Sequence, residues 1–85
     1  MLDAISREPT IEKALLYGSR ARGDAREGSD IDIALFGQNI PRIMRGRLED
    51  SAGLYKIDVV FFDTCDNQLL KETIRRDGIE IYSKS

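Results

Sequence analysis

The stretch that decides the fold is LLYGSRARGDAREGSDIDIAL, residues 15–35. An apolar run ends at Gly18-Ser19, a polar loop with several glycines follows, and a second apolar run begins with Asp30 and Asp32. Because side chains in a β-strand alternate between its two faces, Asp30 and Asp32 project from the same side. The pattern therefore predicts two strands joined by a polar loop, with a pair of carboxylates at the start of the second strand.

These paired carboxylates indicate a cation site. At about 4 Å and an effective dielectric constant near 20, two like charges repel one another by roughly 4 kcal/mol, so the pair favours folding only when a cation compensates. Hard oxygen ligands that leave room for water and phosphate oxygens suit Mg²⁺. The Gly18-Ser19 turn at a strand end offers backbone N–H groups that can hold phosphate. Together these features predict a metal-dependent nucleotide site.

The order Gly-Ser, ten residues, then Asp-x-Asp resembles the nucleotidyltransferase superfamily that includes DNA polymerase β. Within it, the whole chain is similar to the minimal nucleotidyltransferases. The resemblance implies that Gly18 and Ser19 hold the triphosphate of ATP or another nucleoside triphosphate. It also implies that Asp30 and Asp32 bind two Mg²⁺ ions, and that a third carboxylate on a later strand completes the site.

Asp58 is the candidate for that third carboxylate, because it interrupts the apolar run around Ile57 and Val59. A charge in such a setting is costly unless it is paired. As a third acid it would lie against the metal and accept a proton from the attacking hydroxyl. The alternative is an edge-strand aspartate that points to water. Asp63 competes for the same role, although its position near a turn favours a cap or loop residue.

Three further polar residues have more than one interpretation. Arg20 would contact phosphate and stabilise the departing pyrophosphate, or it is a solvated surface charge. Arg22 would brace the loop against Asp24 or Glu27, or it is a solvated surface charge. Ser29 would orient the metal ligands through a hydrogen bond, or it is an ordinary loop serine.

Length and composition restrict the class of protein. The 85 residues predict a single domain over residues 1–85, with no apolar run near the roughly 20 residues that span a bilayer and no signal peptide. One cysteine, Cys65, cannot form an internal disulfide, which fits a cytoplasmic location. The absence of histidine excludes Ser-His-Asp catalysis. A net charge of −2 argues against direct nucleic-acid binding.

Alternating strand and helix patterns predict an α/β or α+β fold, a small mixed sheet with helices packed mainly on one face. The resemblance implies the palm of a polymerase β-like nucleotidyltransferase. Apolar residues at helical spacing predict that Ile40, Ile43, Met44, Leu48 and Ala52 line one helix and that Leu69, Leu70 and Ile74 line another. The predicted strands are Ile11–Tyr17, Ile31–Phe36, Tyr55–Phe62 and Ile79–Tyr82, and the predicted helices are Met1–Arg7, Pro41–Gly53 and Asn67–Arg76.

The expected activity is nucleotidyl transfer, with AMP from ATP passed to a hydroxyl acceptor. A chain this short has little room to hold an acceptor, so we expect the acceptor surface on another polypeptide. The resemblance implies a small all-helical partner, either a substrate-binding subunit or a HEPN-type toxin that is modified on a tyrosine and silenced by this chain as its antitoxin. Self-association stays open. The alternatives are a non-catalytic module that neutralises or scaffolds a helical partner and a transferase that modifies a small molecule.

Overall fold

The computed structural model describes residues 2–18, 23 and 30–84, and the structural statements below concern these residues. Within them the chain forms three α-helices, four β-strands and one 3₁₀ turn. In chain order these are α1 (Leu2–Ser6), β1 (Lys13–Tyr17), β2 (Ile31–Phe36), α2 (Ile43–Ser51), β3 (Ile57–Phe61), the 3₁₀ turn (Phe62–Thr64), α3 (Gln68–Asp77) and β4 (Ile79–Ser83).

The four strands form one mixed sheet in the order β3-β2-β1-β4. β1 pairs antiparallel with both β2 and β4, whereas β2 and β3 are parallel. A parallel pair needs a crossover connection, and α2 supplies it here. The crossover brings the first residues of β2 and the first residues of β3 to the same end of the sheet.

The two faces of the sheet carry separate apolar clusters. On one face, Ile33 and Val59 pack with Ile5 of α1 and with Met44 and Leu48 of α2. On the other face, Tyr17 and Ala34 pack with Phe62 and with Ile74 of α3. Two of the three helices therefore share one face, which agrees with the predicted mixed sheet. α3 covers the opposite face, beside Tyr17.

Strand positions were predicted more closely than helix faces. β2 matches its prediction to the residue, whereas β1 is shorter than predicted at its N-terminal end and β3 is shorter at both ends. Ala14 and Tyr17 of β1 are buried from opposite sides, as a strand covered on both faces requires. Two inward assignments were wrong, because Ile43 is 61% exposed and Leu69 is 77% exposed.

The ends of α3 are fixed by local hydrogen bonds. Asn67 is its N-cap, and the Asn67 side-chain oxygen accepts a hydrogen bond of 3.1 Å from the backbone N–H of Leu70. At the other end, the Gly78 N–H donates to the carbonyl of Ile74 at 2.8 Å. These contacts fix where α3 begins and ends, and Ile74 packs the helix against the face of the sheet on which Tyr17 lies.

β3 is an edge strand, and a side chain of α2 covers part of its open edge. The Arg45 guanidinium donates a hydrogen bond of 3.0 Å to the carbonyl of Val59. The same guanidinium lies 5.2 Å from the centre of the Phe61 ring. An edge strand with a blocked carbonyl is less open to pairing with another chain. None of the described helices has the length and apolar character needed to cross a membrane.

Candidate active site

The carboxylates of Asp32 and Asp58 are brought side by side by the parallel pairing of β2 and β3. Their Cα atoms are direct partners in the register, and each is the second residue of its strand. Since alternation places both on the face opposite Ile33 and Val59, the two side chains share the face that α3 covers. Adjacent strands lie about 4.8 Å apart, so the two acids are near neighbours.

Gly18 lies directly against one of these acids. Its backbone has φ +79°, a left-handed conformation that disfavours any residue with a Cβ atom. A Cβ atom at this position would collide with Oδ2 of Asp32 and would stand 3.3 Å from Cγ of the same carboxylate. The glycine that was predicted to hold phosphate therefore also makes room for the Asp32 carboxylate.

Tyr17 extends the row of polar groups across a third strand. It is the antiparallel partner of Asp32, and it is only 5% exposed. Burial raises the pKa of its hydroxyl well above the ordinary value of 10, and the negative charges of Asp32 and Asp58 raise that pKa further. The hydroxyl thus keeps its proton and lies within electrostatic reach of both carboxylates.

Asp30 lies one residue before β2 and is exposed. Alternation along the chain predicts that it shares the side of Asp32. However, no three Asp, Glu, His or Cys side chains among the described residues lie close enough together to hold a metal ion. The structure thus brings together Asp32 and Asp58 and leaves Asp30 beside the pair.

The surroundings of Asp58 differ from the prediction in one respect. Asp58 is exposed on an edge strand. The argument that a buried charge must be paired therefore does not apply to it. The register with Asp32 is what distinguishes it from an ordinary surface acid. Asp63 lies in the 3₁₀ turn after β3, beyond Phe61. Since Phe61 is about 10 Å along the strand from Asp58, Asp63 is not placed to be the third carboxylate.

The other predicted site residues lie outside the described part of the chain. These are the phosphate-binding candidates Ser19 and Arg20, the loop residue Arg22 and the orienting residue Ser29. Their assignments stay predictions from the sequence.

A shallow groove gives access to Asp58 from the edge of the sheet. It has a volume of about 320 Å³, and its wall includes Arg45, Cys65 and Leu70. A second cavity of about 400 Å³ lies at the other end of β2 and β3, next to Gly37. Of these two, only the first is lined by an acid of the pair, so it offers a route to Asp58 for an acceptor group.

Tyr17 borders the carboxylate pair, a position that the sequence did not predict. Its position directly before Gly18-Ser19 identified it only as the last apolar residue of β1. The available signal was the hydroxyl group, because a tyrosine has an apolar ring and a polar tip, so at the end of a buried strand it marks where the apolar cluster meets polar groups.

The arrangement can bind a cation and accept a proton. Carboxylates on two adjacent strands are suitable ligands for a hard divalent ion such as Mg²⁺. An exposed carboxylate at the groove can serve as a base toward a hydroxyl group. The Gly18 backbone lies next to the pair, at the end of β1 where the predicted phosphate-binding turn begins.

Several solved structures have the same fold. A toxin–antitoxin structure with AMP-PNP aligns with a TM-score of 0.81 and 22% identity, covering 99% of this chain and 71% of the other. A Shewanella oneidensis complex of a tri-AMPylated HEPN toxin with its MNT antitoxin aligns at 0.67 and 23% identity, covering 99% and 64%. A candidate nucleotidyltransferase from Sulfolobus solfataricus aligns at 0.55 and 24%, covering 98% and 73%.

At these identities the structural likeness shows the fold alone. No curated protein matches the chain by sequence. The family assignment comes from a family model described as "Polymerase beta, Nucleotidyltransferase", which matches residues 2–85 and so includes the Gly-Ser turn and all three acids. With Gly18, Asp32 and Asp58 drawn together at one end of the sheet, the chain belongs to the polymerase β family of nucleotidyltransferases.

Proposed function

We propose that this nucleotidyltransferase transfers AMP from ATP to a tyrosine hydroxyl of a small helical HEPN-type partner, in a Mg²⁺-dependent reaction. In this role it is the antitoxin of a toxin–antitoxin pair. The observation that carries the proposal is the register of Asp32 with Asp58 beside Gly18. This arrangement places a pair of carboxylates next to the glycine that begins the predicted phosphate-binding turn. A groove leads from the edge of the sheet to Asp58.

The similar structures support the choice of nucleotide and of partner protein. One contains AMP-PNP, an ATP analogue, and another contains a HEPN toxin that carries AMP groups next to an MNT antitoxin. Each of these two alignments covers 99% of this chain. On that basis we extend the nucleotide and the class of partner found in those structures to this chain.

The residues would divide the work as follows. Asp32 and Asp58, joined by Asp30, would hold Mg²⁺, which when bound neutralises phosphate charge and lowers the pKa of a hydroxyl. Since three carboxylates repel one another, we expect Asp30 to join the pair only with a cation between them. Gly18 and Ser19 would hold the triphosphate, with Arg20 at the phosphates and Ser29 orienting the ligands.

Asp58 would act on the acceptor. The acceptor oxygen forms a bond to the α-phosphorus, the bond from that phosphorus to the bridging oxygen breaks, and pyrophosphate leaves. The proton of the acceptor hydroxyl passes to the Asp58 carboxylate. The groove beside Asp58 gives a partner's side chain access to this carboxylate from the sheet edge.

The decisive experiment follows the mass of the partner. The chain is incubated with ATP, Mg²⁺ and a small helical HEPN-type protein, taken from the neighbouring gene where that gene encodes one, and the intact mass of each protein is measured. We expect the partner to gain the mass of one or more AMP groups. The Asp58→Asn variant should bind ATP nearly as the parent does, yet lose about 10²–10⁴-fold in transfer rate.

A matched control is Asp63→Asn, which removes an exposed acid at the far end of β3 and should transfer normally. If the parent never modifies the partner, and Asp58→Asn neutralises the partner as well as the parent does, the chain inhibits by contact and the catalytic proposal is wrong. Transfer to a small hydroxylated molecule in place of the partner would instead establish the small-molecule alternative.

A further inference from the structure

We propose that two arginines of α2, Arg42 and Arg45, bind acidic side chains of the acceptor protein and so bring its hydroxyl group to Asp58. The inference rests on the proposed function, because it names the chemistry by which the acceptor is recognised. It predicts an extended acceptor segment with carboxylates about two to four residues from the modified tyrosine.

The first support is a continuous trough along the outer edge of β3. The groove beside Asp58 and the cavity at the other end of the strand are joined by a third hollow of about 280 Å³. Phe61 and Thr64 line all three spaces. Arg45 lines the groove and the hollow, and Arg42 lines the hollow and the cavity. We call the three spaces the arginine trough, and a segment that lies along it passes both guanidinium groups before it reaches Asp58.

The second support is the charge of these two side chains. Both are exposed, and within residues 2–18, 23 and 30–84 neither Arg42 nor Arg45 forms an ion pair with a carboxylate. Asp63 lines only the cavity, so the positive stretch lies between it and Asp58. Two unpaired cations side by side, in a chain with a net charge of −2, complement an acidic ligand.

The third support is that the guanidinium of Arg45 is held in place. It donates a hydrogen bond of 3.0 Å to the Val59 carbonyl and lies 5.2 Å from the centre of the Phe61 ring. A guanidinium has five N–H donors, so the others can bind a carboxylate through two parallel hydrogen bonds. The backbone N–H of Arg45 donates to the carbonyl of Arg42 at 3.1 Å. Residues three positions apart in such a turn lie on the same side of the helix.

The positions of the arginines set the spacing expected in the acceptor. Arg45 contacts Val59 and Phe61. These residues follow Asp58 by one and three positions, which is roughly 3–10 Å along the strand, and Arg42 lies about 5–6 Å further on. An acid about two to four residues from the tyrosine would therefore meet a guanidinium when the hydroxyl is at Asp58. A carboxylate directly beside the tyrosine would instead approach Asp58 and be repelled.

The test measures peptide binding to the metal-free chain, because binding needs no catalysis. Three fluorescent nine-residue peptides each have one central tyrosine among glycines. The first has aspartates three and four residues away on both sides of the tyrosine, the second has asparagines at those positions, and the third has its four aspartates next to the tyrosine. At low ionic strength, fluorescence anisotropy should show the first peptide bound about fivefold more tightly than either of the others. Roughly 0.5 M salt should remove most of this preference, since exposed charges are screened.

Arg42→Gln should reduce the preference for the first peptide by up to about fivefold. Arg47→Gln is the matched control, because it removes the same charge from the same helix, whereas Arg47 lines a separate hollow with Arg7 and Asp50. Both variants should melt like the parent, since both side chains are exposed. In transfer to the partner protein, Arg42→Gln should raise KM for the partner and leave kcat unchanged.

The inference is overturned if the parent binds the first two peptides equally or binds none of the three. Equal effects of Arg42→Gln and Arg47→Gln would overturn it as well. So would displacement of the labelled peptide by a single-stranded oligonucleotide at a lower concentration than by the unlabelled peptide, because the trough would then be a phosphate site. The carboxylate pair is tested separately by Mn²⁺ titration with α,β-methylene-ATP, which cannot donate its nucleotide. If Asp32→Asn and Asp58→Asn leave that binding unchanged while the peptide preference is found, the error lies in the proposed function and not in the trough.

Discussion

Replacing Gly18 by alanine tests the geometry of the site most directly. Alanine in a left-handed conformation costs roughly 1–2 kcal/mol, and Gly18 has φ +79°. For a domain of this size each kcal/mol lowers the melting temperature by about 4–8 °C, so the backbone effect alone predicts a loss of roughly 4–16 °C. In addition, the new Cβ atom must displace the Asp32 carboxylate, because no Cβ atom tolerates so close an oxygen.

Gly53→Ala separates these two effects. Gly53 has φ +65°, and a Cβ atom there would meet nothing within 4 Å. This variant should therefore lose similar stability through its backbone and retain Mn²⁺ binding in the presence of α,β-methylene-ATP. Gly18→Ala should lose both. Thermal unfolding and Mn²⁺ titration of the two variants, run side by side, provide the comparison.

A double-mutant cycle measures the contact itself. In the Asp32→Ala variant, only the Cβ atom of residue 32 remains. That atom stands 3.6 Å from the position of a Cβ atom on residue 18, which is an ordinary contact distance. Gly18→Ala should therefore destabilise the Asp32→Ala variant less than it destabilises the parent, with a coupling free energy of about 0.5–3 kcal/mol. Additive losses, or a Gly18→Ala variant that binds Mn²⁺ like Gly53→Ala, would refute the close packing of Gly18 against Asp32.

Three further predictions follow from the same structure. Asp30→Asn should leave the melting temperature unchanged or higher, since it removes like-charge repulsion, and should weaken Mn²⁺ binding; unfolding of the variant would make Asp30 structural. Because the pKa of Tyr17 is raised in the folded chain, the unfolded chain loses this proton first above about pH 10, so metal-free stability should fall there by up to about 1.4 kcal/mol per pH unit. Urea unfolding at pH 9 and pH 11 should show a smaller decline for Tyr17→Phe than for the parent. Leu48→Ala should lower the free energy of unfolding by about 2–5 kcal/mol, because Leu48 is fully buried. Leu69→Ala should lower it by less than about 0.5 kcal/mol, because Leu69 is 77% exposed. Equal losses of the two variants in urea unfolding would contradict the assigned helix faces.

The strands were predictable because their sequence signals are local. The apolar run of β2 starts after Asp30 and stops at Gly37, and the structure has the same limits. The helix faces were less predictable. Ile43 fits the apolar spacing of α2 and Leu69 that of α3, but in each helix the following residue is the one that packs inward. Met44 is fully buried, and Leu70 packs against the cluster that contains Tyr17.

The site was predictable in its residue types and less so in its assembly. The spacing of Gly18, Asp30 and Asp32 follows from one hairpin and can be read along the chain. The pairing of Asp58 with Asp32 depends on a crossover through α2, and no local pattern specifies that register. The position of Tyr17 beside the carboxylate pair depends on the same strand order, so it is visible only when the three strands are placed side by side.

The edge position of β3 makes the site sensitive to partial unfolding. β2 has β1 on one side and β3 on the other, whereas β3 has a single neighbouring strand. Edge elements open at lower free energy than central ones, and opening of β3 would carry Asp58 away from Asp32 while the antiparallel strands stay paired. Amide exchange should therefore be faster in Ile57–Phe61 than in β1, and loss of transfer activity should precede global unfolding. The hydrogen bond from Arg45 to the Val59 carbonyl opposes that opening, so a contact on the far side of β3 sets how long the two acids stay together.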